Sequence, residues 1–122
     1  MATFNKELLS ESINGKAIKV TATAIGTSPT PIHTASTNPN VLDEVWIYAQ
    51  NNHTADLALR LGFGGTTDPD DIIEFTVKTK AGLYLIVPGL ILKGNATPLT
   101  IRAACATANV ILLSGYVNRI TS

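Results

Sequence analysis

The chain has one cysteine and two histidines among its 122 residues, and only 15% of it is charged. A lone Cys105 cannot close an intrachain disulfide, and its place in the alternating apolar set Leu99, Ile101, Ala103, Cys105 marks it as a buried thiol acting as a small hydrophobe. His33 and His53 are far apart and share no paired ligand spacing with Cys105, so a zinc site is not expected. Neither histidine is placed to activate a nucleophile, and both read as surface residues of polar turn or edge segments. Enzymatic activity, catalytic residues and cofactors are not expected. No apolar run reaches the ~18 residues of a membrane span, the densest stretch, Leu83 to Leu92, being cut by Pro88 and Gly89. The opening MATFNKELLSES lacks the apolar core of a secretory signal, so synthesis in the cytoplasm without membrane association is the expectation. Nine basic and nine acidic residues cancel, and no cluster of Lys or Arg supplies the concentrated charge that nucleic-acid binding needs.

What is present is period-two alternation. In the first arm of Asp43 to Phe63, Val45, Ile47 and Ala49 oppose Trp46, Tyr48 and Gln50; in the second, Leu57, Leu59, Leu61 and Phe63 share a face. Asn51, Asn52 and His53 between them suit a tight reversal, so the stretch reads as a β-hairpin. Before it come a polar arm anchored by Phe4, Leu8, Leu9 and Ile13, with a turn or two of helix at residues 6–10. A turn at Asn14-Gly15, a strand over 17–24 and a short edge strand over 30–35 follow. After it, Ile73, Phe75 and Val77 alternate with polar residues. Leu83, Leu85 and Val87 then oppose Tyr84 and Ile86, Pro88-Gly89 turns the chain, and residues 99–106 with 109–120 read as a closing hairpin. Seven or eight strands with a long irregular early connection predict an all-β antiparallel sandwich, jelly-roll-like, with residues 1–15 as an arm and 16–122 as the single domain.

The strongest local cluster is Asp68-Pro69-Asp70-Asp71. Its carboxylates are the oxygen ligands that Ca²⁺ takes at loops, yet Asp and Pro equally set a solvated turn, and the turn is the reading carried forward. Gly62-Phe63-Gly64-Gly65 opens no helix and does not read as a phosphate cradle. Arg60, Arg102 and Arg119 read as rim charges, with Arg60 able to pair across strands. Trp46, Tyr48, Tyr84 and Tyr116 fall on the second face of their strands with Ile86 and Leu112. Aromatics gathered on one face suit a protein interface, cover by other parts of the chain, or a stacking platform for sugar.

NKELLSESINGKAIKV, LDEVWIYAQN, LRLGFGGTTDPDDII, AGLYLIVPGLIL and ATANVILLSGYVNRI together resemble a family of small virion proteins of tailed bacteriophages, over nearly the whole chain. The resemblance to capsid decoration, or cement, proteins implies a compact β domain that forms a homotrimer on the outer surface of the head. It would bridge subunits of the major capsid protein. Read with that resemblance, the expected contact residues are Trp46, Tyr48, Tyr84, Ile86, Leu112 and Tyr116 on the domain. Phe4, Leu8, Leu9 and Ile13 on the arm complete the set. A tail, baseplate or fibre receptor-binding domain and a carbohydrate-binding jelly roll are the alternatives.

Overall fold

Strand periodicity dominates the chain, and in the computed structural model, which describes residues 2–121, the regular elements are nine strands. They are β1 (Thr3–Leu8), β2 (Ile18–Lys19), β3 (Thr30–Thr34), β4 (Val41–Asn51), β5 (Leu57–Phe63), β6 (Ile72–Val77), β7 (Tyr84–Lys93), β8 (Thr100–Cys105) and β9 (Ile111–Thr121). One sheet runs β1-β9-β4-β7, with β2 beside β1 on the same edge of β9; the other runs β3-β8-β5-β6. Every pairing between named strands is antiparallel. With β1 and β2 counted as one split strand, this is the eight-strand jelly-roll order, in which the chain keeps crossing from sheet to sheet. The sandwich expected from the spacing of strands is the one found.

That topology corrects both hairpins. β4 and β5 lie in opposite sheets, as do β8 and β9, so the polar links carry the chain over the edge of the sandwich. The pattern of each arm was legible because it depends only on which face is buried. Two strands with one apolar face can lie side by side or face each other across a core, and local sequence does not distinguish them. Asn51 organises the first crossing: its Nδ2 donates to Ala55 O and Val77 O at 2.9 Å each, and its Oδ1 accepts the His53 N–H at 2.8 Å. β5 with β6 is the hairpin inside one sheet, paired from Leu57↔Val77 to Gly62↔Ile72.

Three further differences have local causes. Residues 6–8 are strand instead of helix, because β1 finds six consecutive partners on β9. The strand expected over 17–24 pairs regularly only at Ile18–Lys19. Beyond it Thr30 Oγ1 accepts the Thr21 and Ala22 N–H groups and pulls the segment off the ladder. Pro88-Gly89 does not turn the chain. β7 runs through it, with register shifts against β4 at Val45/Trp46 and Ile47/Tyr48 that absorb the extra residues as bulges.

The core is the interior of the sandwich. Val45, Ile47 and Ala49 of β4 and Ile111, Leu113 and Val117 of β9 face Leu59 and Leu61 of β5 and Ile101, Ala103 and Cys105 of β8. Leu9, from the expected arm, is also buried there at 1% exposure. Cys105 is buried, as its apolar alternation required.

Candidate functional site

The outer face of the β1-β9-β4-β7 sheet follows from register. Residues directly opposite in an antiparallel pair share a face, and in β4 the odd positions are buried, leaving Leu42, Glu44, Trp46, Tyr48 and Gln50 outward. The ladders then fix their neighbours. Phe4, Ile120, Leu42 and Lys93 form one row; Lys6, Asn118, Glu44 and Ile91 the next; Leu8, Tyr116, Trp46 and Pro88 the third. Ser114, Tyr48 and Leu85 follow, and then Lys19, Leu112 and Gln50. None of these side chains is buried, and the edge strands are the barest: Phe4 is 68% exposed and Ile91 53%. A soluble sandwich ordinarily alternates apolar inward with polar outward. Here the outward set is itself mostly apolar, and a contiguous exposed patch of that kind marks an interaction surface.

Trp46 is the centre of this face. Its ring stacks on Tyr116 of β9 at 6.3 Å between centroids, with 18° between planes. Its Nε1 donates to Glu44 Oε1 at 2.8 Å, and Asn118 Nδ2 donates to the same oxygen at 2.9 Å. These two hydrogen bonds hold the Glu44 carboxyl below its ordinary pKa, so the group is a fixed anion within the patch. Lys6 Nζ sits 4.7 Å above the Tyr116 ring and lays a cation on the same face. Gly89 lets the indole lie flat against β7: a Cβ there would stand 2.9 Å from Trp46 Cζ2.

A second constellation lies inside the fold. His33, on β3, is 2% exposed, and Asp43, on β4, is fully buried. Arg119 on β9 grips Asp43 with both ends of its fork, Nε to Oδ1 at 2.8 Å and Nη2 to Oδ2 at 2.9 Å. His33 Nε2 lies 2.8 Å from Asp43 Oδ2. On its other side His33 Nδ1 accepts the Ser10 backbone N–H at 3.0 Å, which requires the proton on Nε2 and makes His33 the donor to Asp43. Burial alone would raise the Asp43 carboxyl, but the hydrogen bonds from Arg119 and His33 and the Arg119 charge outweigh it and hold the pKa at about 2. The expectations that His33 is a surface residue and Arg119 a solvated rim charge are thus corrected. His33 is buried where it ties β3 to β4 across the sandwich, and Arg119 is half-buried where it pairs with Asp43 within the larger sheet.

Ser10, His33 and Asp43 stand in the order of a hydrolytic triad. Ser10 Oγ lies 2.9 Å from His33 Nδ1, but it also accepts the Thr34 N–H at 3.0 Å and stands 3.2 Å from Thr34 O. The N–H and the hydroxyl of the serine are both engaged in holding residues 9–12 against β3, and the ring nitrogen facing it already takes a backbone proton. The arrangement fastens a segment; it presents no free nucleophile. A cleft of about 360 Å³ lies on the other sheet, among Ile25, Ala58, Arg60, Ala104 and Ala106. Arg60 is paired there with Asp68 at 2.8 Å and Glu74 at 3.3 Å, the cross-strand pairing expected of it. Asp71 Oδ2 accepts the Thr67 N–H at 3.1 Å, so one carboxylate of the acidic loop is spent on the turn itself.

Of the residues expected at a contact, Phe4, Leu8, Trp46, Tyr48, Leu112 and Tyr116 come together on the outer face. Leu9 and Ile86 go instead to the core, and Tyr84 turns inward to pack on Phe75 at 5.9 Å. Ile13 is exposed in the β1–β2 connection, away from the sheet rows. Tyr84 and Ile86 are misplaced because a bulge separates Leu85 from Val87: Val87 faces the core but Leu85 does not, and a second bulge before Leu90 restores the first parity. For the same reason Leu85 and Ile91, both outward, escape a reading by alternation. Leu42 and Ile120 share parity with Trp46 and Tyr116 and were legible in the sequence. Comparisons with protein-family models, with curated proteins and with solved structures find no match to this chain.

Proposed function

We propose that the chain is a structural virion protein of the capsid decoration type, which attaches to the major capsid protein of a phage head through the outer face of its larger sheet. The observation that carries the reading is that face: five rows in which apolar and aromatic side chains outnumber charged ones, on a small domain with formal net charge +0. Such a surface is stable in water only at a cost, and covering it supplies association energy of roughly 25 cal/mol per Å² of apolar area. Strand β7 contributes the exposed Leu85 and Ile91, on an edge whose far side has no partner strand among the described residues. The resemblance in the five quoted segments supplies the class of partner.

The test is co-sedimentation with empty heads of the phage that encodes the chain. The wild type is expected to pellet with heads, and Ile91→Glu or Leu85→Glu to reduce the bound fraction at least tenfold while leaving the circular dichroism spectrum unchanged. Equal binding by the variants removes the face from the attachment site; no binding by the wild type removes the decoration reading.

A further inference from the structure

The outer face carries its own complement, and we infer that in free solution a second copy of this chain covers it, face to face about a two-fold axis running along β9. The inference rests on reading that face as a contact surface, and adds the occupant.

The argument is one of register and charge. A two-fold axis parallel to β9, lying between two facing sheets, keeps each row opposite itself and exchanges the strands on either side of β9. β1 of one copy then faces β4 of the other. Row by row, Lys6 meets the partner's Glu44, Phe4 meets Leu42, and Leu8 meets Trp46, while Ile120, Asn118 and Tyr116 each meet themselves. The two charges of the second row therefore pair with opposite sign, twice over, and the apolar rows meet apolar rows. Shifting the axis by one strand, onto β4, would place Asn118 opposite Ile91 and leave Lys6 without a counterpart.

Both charges are already arranged for such cover. Glu44 Oε1 takes the Trp46 and Asn118 protons, so closing the face leaves neither donor without a partner. Lys6 is held over Tyr116 instead of trailing into solvent. Facing sheets pack about 10 Å apart with strands within about 30° of each other, a spacing that side chains of this size fill. Three strands and eight residues of β9, at about 4.8 Å between strands and 3.3 Å per residue, with side chains overhanging each edge, give a patch of about 20 by 30 Å. That is about 600 Å² a side, at the lower bound of specific interfaces, and predicts a dissociable dimer. β7 lies outside the overlap, so Leu85 and Ile91 stay uncovered.

Sedimentation equilibrium of the full chain between 1 and 100 μM tests this, with three variants. The wild type should fit a monomer–dimer equilibrium. Lys6→Glu, at an exposed position, should raise the dimer dissociation constant at least tenfold, and Glu44→Gln, which keeps an acceptor for Trp46 and Asn118, should raise it severalfold. Combining Lys6→Glu with Glu44→Lys should bring association back towards wild type. A monomer at 100 μM, a trimer, or a dimer indifferent to Lys6→Glu each overturns the two-fold pairing. Head binding is read separately through Ile91→Glu, so loss of the dimer with intact head binding rejects this inference alone, and the converse rejects the decoration reading alone.

Discussion

At the scale of single residues, the polar tie and the tryptophan site make different demands. Asp43 has a pKa of about 2 in the fold against an ordinary 3.8, so its ion pair favours the folded state fully above about pH 4. As pH falls from about 4 to about 2 the carboxylate takes up a proton in the unfolded chain first, and about 2 kcal/mol of stability is lost. Urea unfolding followed at pH 6, 4 and 2.5 should show that decline, and Asp43→Asn should flatten the Asp43 part of it. The same substitution leaves buried His33 and half-buried Arg119 facing a neutral amide. We expect it to cost about 3 kcal/mol at pH 7, measured in the same urea titration. Gly89 has φ +78° and no room for a Cβ beside Trp46. Gly89→Ala should therefore destabilise by about 1–2 kcal/mol and shift the emission of the chain's single tryptophan, which reports this face alone.

At the scale of elements, β1 and the turn after it have separate roles. All six residues of β1 are exposed, so the strand adds ladder hydrogen bonds and outer-face side chains but little to the core. Leu9 and Ser10 immediately beyond are different: one is core, the other holds His33. Removing residues 1–8 should leave a folded sandwich with a melting temperature within a few degrees of the full chain, yet one that sediments as a monomer because Phe4, Lys6 and Leu8 are gone. Removing residues 1–14 should cost a further 2–5 kcal/mol, the usual range for emptying a buried leucine site, and lower the melting temperature sharply. Calorimetry on the two truncations separates these outcomes. A deletion of the whole expected arm would confuse attachment with folding.

At the scale of the molecule, an uncharged balance and an apolar sheet face act together. Net charge near zero removes the long-range repulsion that keeps copies apart, and the face then supplies short-range attraction. Static light scattering should show the strongest self-attraction near neutral pH and weaker attraction at pH 9. Leu85→Lys with Ile91→Lys should weaken it at both, since the pair adds charge at the strand left outside the dimer.

The sequence by itself determined the strand character of most segments, the buried parity of β4, β5, β8 and β9, the inert Cys105 and the edge position of β3, because each follows from local alternation or local backbone chemistry. It also placed Trp46, Tyr48, Leu112 and Tyr116 on one outward face. Only the tertiary structure decided which strands are neighbours. The links at 52–56 and 106–110 cross between sheets, β1 replaces an arm helix, and Asp43 and His33 from consecutive strands meet Arg119 from the far end of the chain. The bulges of β7, which put Leu85 and Ile91 outside and Ile86 inside, exist only against the register of β4. Alternation records the environment of a side chain, whereas pairing and register depend on partners far along the chain, and these are chosen when the core closes.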